Sequence, residues 1–328
     1  MAKTAAVLIG DGRVGFREVE RPEPGVGELV VRCRANAICG SDRGAFDSGA
    51  AVVQGHEAAG EVIAAGAGTS TAVGTRGVVY LMVFCGECRS CRAGATNVCL
   101  DKRGDMGFNR AGGLGPYEVV DERVFFPVDD RVPFATATAL LDVMGTSGHA
   151  LDRALMLRPE IEDLYVAGVG PVGLGVLLMA KLRFGVDFPV YVSDVSPWRV
   201  EFAAGLGAAP RKVEELPLVD AAVDASGRTE ARQAAVRRLG RRGVLVCVGH
   251  GQRLELDVSR DLVSNEAAVI GSEYFPYGDF ERNHALLVDN LDQASKLITH
   301  QFDLSETQLA FETFLSGESG KIVVTQDA

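Results

Sequence analysis

The sequence carries no excess of positive charge and no run of lysine or arginine. Its 33 basic residues are outnumbered by 44 acidic ones, a formal net charge of −11. Nucleic acids and anionic membranes attract basic patches, so neither is an expected partner. A membrane-spanning run is missing too. The longest uncharged stretch, Leu164 to Ala180, contains "AGVGPVGLG", whose glycines and proline suit a strand, a turn and a helix. The opening "MAKTAAVLIGDGRVGF" meets Asp11 and Arg13 too soon for a secretion signal and reads as a strand and hairpin. No internal repeat or low-complexity linker stands out. A cytoplasmic setting follows as the expectation, and structural disulfides are not expected there.

Cysteine is sparse, seven in 328 residues, yet four of the seven fall within "FCGECRSCRAGATNVC", Phe84 to Cys99. Cys85, Cys88, Cys91 and Cys99 follow C-x2-C-x2-C-x7-C. Cysteines three apart in a tight loop can turn their sulfurs to one point, and four thiolates at about 2.3 Å form the closed shell of a structural zinc. A single redox pair would leave two of the four unexplained. An iron–sulfur cluster also takes four thiolates and stays open. The proline that usually follows the fourth cysteine of a ferredoxin run is absent after Cys99, which favours zinc. Cys33 and Cys247 read as small buried hydrophobes.

At this length the chain suits two domains. From about Ile161 the pattern becomes alternating strands and helices, which implies a doubly wound parallel sheet. Leu164 to Ala167 reads as a buried strand, followed by the G-x-G-x-x-G of Gly168, Gly170 and Gly173 and a helix to about Phe184, uncharged through Ala180. In that context Gly168, Gly170, Pro171, Val172 and Gly173 are the expected cradle of a dinucleotide pyrophosphate. "PVYVSD" then ends in Asp194, where a carboxylate can accept both ribose hydroxyls of NAD and repel the 2′-phosphate of NADP. Further strands are expected at Ala221–Ser226, Gly243–Gly249 and Ala267–Ser272, with a helix from about Glu230 to Leu239.

Three stretches together carry a family resemblance: the cysteine lobe, "ICGSD" (Ile38 to Asp42) and "GHEAAGEV" (Gly55 to Val62). They resemble the zinc-dependent medium-chain alcohol and polyol dehydrogenases. The resemblance implies a mainly β, GroES-like catalytic domain over residues 1–133 and 280–328, interrupted by a Rossmann domain over 134–279. It implies two Zn2+ per chain, one in the four-cysteine lobe and one catalytic, and NAD as cofactor. Cys39 and His56 match two ligands of the catalytic zinc. "LLDVMGTSGHA" puts Asp142 in the place of the third, and Glu57 stands beside the metal as a transient or supporting contact. Such a site keeps a fourth position for water or substrate. Ser41 matches the hydroxyl that takes the alcohol proton, Arg199 a basic residue near the adenosine, and Lys321 a basic residue on the pyrophosphate.

The sequence also departs from the family pattern. Only seventeen positions separate Cys39 from His56, and Gly44 stands where relatives often carry a relay histidine. The implied function is oxidation of a secondary alcohol, polyol or cyclitol hydroxyl, in a homodimer or homotetramer. Two rivals remain: a quinone or enone reductase on the same scaffold, and an NAD-binding redox sensor with structural zinc only.

Overall fold

The computed structural model of the chain describes residues 3–326, so Met1 and Ala2 of the opening stretch lie outside the described residues. Contacts divide it into two units: residues 1–141, 276–316 and 321–328 in the first, 142–275 and 317–320 in the second. The crossings fall at 141/142, 275/276, 316/317 and 320/321, where the family resemblance implied 133/134 and 279/280. Among the described residues, no helix is long and apolar enough to cross a membrane.

The strands, in chain order, are β1 (Lys3–Gly10), β2 (Arg13–Val19), β3 (Glu28–Ala37), β4 (Ala58–Ala65), β5 (Arg76–Val79), β6 (Tyr117–Asp121) and β7 (Phe125–Pro127). They continue with β8 (Leu164–Ala167), β9 (Val190–Ser193), β10 (Ala209–Pro210), β11 (Val219–Asp224), β12 (Leu239–Cys247), β13 (Ala268–Gly271), β14 (Ile298–Asp303) and β15 (Lys321–Thr325).

In the first unit β1 and β2 form a hairpin, and the larger sheet runs β14-β15-β3-β4-β5-β7, with β6 also paired to β3. β3 is the organiser. It lies antiparallel to β4, β6 and β15, and its alternating residues bury Val31, Cys33 and Ala35. Under the hairpin, Leu8, Ile38, Phe46, Phe311 and Ile322 form a core in which Phe46 and Phe311 stack at 4.8 Å. Each such large apolar side chain contributes roughly 1.5–3 kcal/mol when removed from water.

The second unit is a six-stranded parallel sheet in the order β10-β9-β8-β11-β12-β13. Its order reverses at β8/β11, which makes a switch point at the carboxyl ends of the strands. The helix Pro171–Phe184 starts with proline at its first turn, ends before Gly185 and buries nine residues, all within the charge-free part through Ala180. Several boundaries differ from the sequence pattern by one to four residues, and two of the differences have a clear cause. β12 begins at Leu239, because its pairing to β11 shifts register between Val219 and Ala221 and absorbs the "GRR" segment, with Arg242 at φ 58°. β11 stops at Asp224, because that residue's carbonyl accepts from the amides of Val248 and Gly249 and starts a turn.

One buried acid in the first unit has no part in the cofactor or metal motifs. Glu118 on β6 is 1% exposed, and the Cys33 thiol approaches its Oε1 at 3.7 Å. Burial pushes its carboxyl up to about 8 from the usual 4.5, only partly offset by Cys33. The neutral form is therefore the one the fold accommodates. Its contribution to stability is complete below pH 4.5 and is lost as pH rises through 8. Glu118→Gln should match the parent's melting temperature near pH 4.5 and exceed it increasingly up to pH 9. The gap should be worth on the order of a few kcal/mol at the top of that range. A difference independent of pH, measured by thermal melts, would rule out this role for the buried carboxyl.

Candidate active site and metal centres

The antiparallel register of the first sheet explains why distant segments meet. Asn36 pairs with Ala58 across β3 and β4, and Val323 pairs with Ala37 across β15 and β3. The chain leaving β3 (Cys39), the chain entering β4 (His56, Glu57) and the first residue of β15 (Lys321) therefore share one end of the sheet. Cys39, His56 and Glu57 offer a sulfur, a ring nitrogen and a carboxylate oxygen within 4.8 Å of one another.

Each donor is braced. Asp42 accepts the Cys39 amide on Oδ2 at 2.9 Å, and its Oδ1 lies 3.2 Å from His56 Nδ1. This carboxylate fixes the ring orientation and directs Nε2 away from itself, the usual arrangement around a metal-binding histidine. Ser41 Oγ lies 3.4 Å from that Nε2, and Phe108 packs on the ring at 4.9 Å between centroids. The Glu57 amide donates to Asn36 Oδ1 at 3.2 Å, and the Lys321 ammonium forms a buried ion pair with Glu57 Oε1. Lys321 and Glu57 are 1% and 0% exposed.

Asp142 opens the second unit, one peptide bond after Leu141, at the head of a π-helical segment Asp142–Thr146 that continues into the helix Ser147–Leu157. It is buried, and its Oδ1 accepts from Thr146 Oγ1 at 3.1 Å. π-helical turns of this kind recur at functional sites.

In the lobe, the sulfurs of Cys85, Cys88, Cys91 and Cys99 gather within 4.8 Å of one another, with edges of 3.5 Å (Cys85–Cys99), 3.9 Å (Cys85–Cys91) and 3.9 Å (Cys88–Cys99). Metal–sulfur bonds of about 2.3 Å in a tetrahedron give edges of about 3.8 Å, so the cage fits zinc. Backbone amides point at the sulfurs: Cys88 to Cys85 at 3.3 Å, and Cys91 and Leu100 to Cys88 at 3.5 Å each. Those last two amides hold the Cys88 thiol down at about 6, which favours the thiolate.

In the second unit, a Cβ on Gly173 would meet the Gly168 carbonyl oxygen at 1.9 Å, so only glycine permits this contact between helix and turn. Asp194, just past β9, accepts the Val169 amide on Oδ2 and the Ser196 amide on Oδ1, both at 2.8 Å. The carboxylate is thus pinned against the glycine-rich turn. Arg199 donates through Nε to the Ser319 carbonyl at 3.1 Å, and its Nη1 lies 3.6 Å from where a Gly170 Cβ would stand. Burial lowers its pKa, opposed by Asp194.

Residues 25–130 match the alcohol dehydrogenase GroES-like domain. Over 349 aligned residues the chain is 30% identical to an L-threonine 3-dehydrogenase of Pectobacterium carotovorum subsp. carotovorum (strain PC1), covering 99% of each. The chain belongs to the zinc-dependent medium-chain dehydrogenase family. It is also 28% identical to the uncharacterized zinc-type alcohol dehydrogenase-like protein YphC of Escherichia coli (strain K12), over 98% of both chains. Among solved structures, the cobalt- and zinc-bound thermostable alcohol dehydrogenase from Pyrobaculum aerophilum superposes with a TM-score of 0.85 at 27% identity, covering 99% of each chain.

Within this medium-chain dehydrogenase scaffold, sequence reasoning passed over Asp42, Asn36 and Phe108. Asp42 carried a signal: an acid three residues after Cys39 can accept that residue's amide, as a capping box does. Nothing local marked Asn36 or Phe108, which act across strands and loops. Replacing Cys88 by serine should remove about one zinc per chain and lower the melting temperature, because three thiolates leave the shell open. Metal analysis and a thermal melt on one sample decide it. Unchanged zinc with an unchanged melt would rule out the four-thiolate cage.

Proposed function

We propose that the protein is a zinc-dependent dehydrogenase that moves hydride from a secondary alcohol, polyol or cyclitol hydroxyl to NAD. The observation that carries this reading is the convergence of Cys39, His56 and Glu57 at one end of the first sheet, with Asp42 braced against the histidine. Cys39, His56 and Asp142 would hold the catalytic zinc, and the four-cysteine lobe the structural one, two Zn2+ per chain. The donor set fits: a thiolate, an oriented imidazole and a buried carboxylate are ordinary zinc ligands. When bound, zinc supplies Lewis acidity toward a substrate hydroxyl.

The remaining work falls to the chain itself. Asp42 holds His56 with Nε2 aimed at the site. Ser41 Oγ, at 3.4 Å from that nitrogen, accepts the hydroxyl proton and passes it to water, since Gly44 offers no ring for a relay. In this reading Glu57, whose charge is balanced by Lys321, supports the site or approaches the metal transiently instead of serving as a permanent ligand. Asp194 accepts ribose hydroxyls and disfavours a 2′-phosphate, while Arg199, facing Gly170, adds positive charge beside the pyrophosphate turn. A cytoplasmic setting, as expected from the sequence, and a homodimer or homotetramer, as the family resemblance implies, complete the proposal.

NAD reduction against a panel of polyols, sugars, cyclitols and secondary alcohols tests the proposal. At least one class should support turnover with NAD faster than with NADP at equal concentration, and Asp194→Ser should narrow that preference without loss of zinc. Faster turnover with NADP by the parent would contradict the Asp194 assignment. Zinc-loaded protein inert toward the whole panel would contradict the substrate class.

A further inference from the structure

The second unit contains a buried ion pair outside the glycine-rich turn. Asp224, the last residue of β11, is 0% exposed, and Arg232, on the helix Thr229–Arg237, is 8% exposed. Arg232 Nε donates to Asp224 Oδ2 at 2.6 Å, and its two terminal nitrogens donate to the carbonyls of Gln252 and Gly249. Asp224 Oδ1 collects the Ser226 amide (2.9 Å), the Ser226 hydroxyl (2.6 Å) and the Gly227 amide (3.1 Å). Its backbone carbonyl takes the amides of Val248 and Gly249. The pair thereby joins the loop after β11 to the loop after β12. The loops are pressed together as well: the Gln252 amide donates to the Gly227 carbonyl at 2.8 Å, and a Cβ on Gly227 would lie 2.1 Å from the His250 carbonyl oxygen.

Placing such a pair in the interior is costly, and well-packed apolar residues would often serve stability as well or better. What an ion pair with six directed hydrogen bonds adds is fixed geometry. Its location shows what that geometry serves. A dinucleotide lies across the carboxyl ends of the strands at the switch point. With the pyrophosphate on the turn after β8 and the adenosine ribose at Asp194 after β9, the other half must extend over the ends of β11 and β12. The first of those loops also abuts the turn, because a Cβ on Gly168 would lie 2.9 Å from Ser226 Cβ.

We infer that Asp224 and Arg232 are a positioning pair that shapes the floor under the nicotinamide half of the cofactor. The inference rests on the proposed NAD reading. Neutralising Arg232 alone would strand a buried carboxylate, so the informative variant is Asp224→Asn with Arg232→Met, which removes both charges. Calorimetric titration of the full-length, zinc-loaded protein with NADH and separately with ADP separates the halves of the site. The double variant should bind NADH about tenfold more weakly, as misplaced contacts cost binding and rate, while ADP affinity stays at the parent value. Equal weakening toward both ligands would mean the pair merely holds the unit together, and unchanged NADH affinity would mean it positions nothing; either result overturns the inference. A parent protein that binds neither NADH nor ADP would instead overturn the cofactor reading beneath it.

Discussion

Burial of charge at one end of the first sheet is the constraint on which the rest of this structure turns. Asp42, His56, Glu57 and Lys321 are each 3% exposed or less. An ammonium or carboxylate placed there alone would cost on the order of several kcal/mol. The strand register supplies the remedy by bringing Lys321 at the head of β15 to Glu57 at the entrance of β4, and Asp42 to the His56 ring. Charge balance and donor orientation thus arise from the same pairings that build the sheet.

The second unit solves a related problem with backbone more than with side chains. Its glycine-rich turn lets the helix Pro171–Phe184 approach β8 closely, and Asp194 is held against that turn by two amides. The Asp224–Arg232 pair does the equivalent beside the switch point, tying the loop after β11 to the loop after β12. Both are devices that fix loops which would otherwise be the least constrained parts of a parallel sheet.

How much of this was legible in the sequence depends on the range of each interaction. The cysteine lobe and the glycine-rich turn are written within sixteen and six consecutive residues respectively, so spacing alone exposes their geometry. The strand–helix alternation of the second unit was readable for the same reason. Partners far apart in sequence were not. Lys321 drew attention as a basic residue for a pyrophosphate, but no local pattern could show that its ammonium is bound to Glu57, 264 positions away. Glu118 and Arg232 look like ordinary surface charges in their segments, and only pairing across the fold reveals them as buried. The early start of β12 was hidden by a register shift around "GRR", where charged residues mimic a turn.

Asp142 is the residue on which the proposed catalytic centre depends most, because it is the proposed third ligand and the only one of the three that the local sequence places by position alone. Zinc content of the purified protein and of Asp142→Asn, measured with NADH affinity on the same samples, addresses that dependence most directly. The parent should carry about two zincs per chain and the variant about one, with NADH affinity retained and turnover largely lost. A parent holding one zinc per chain, or a variant that keeps both along with its activity, would contradict a catalytic centre built on Cys39, His56 and Asp142.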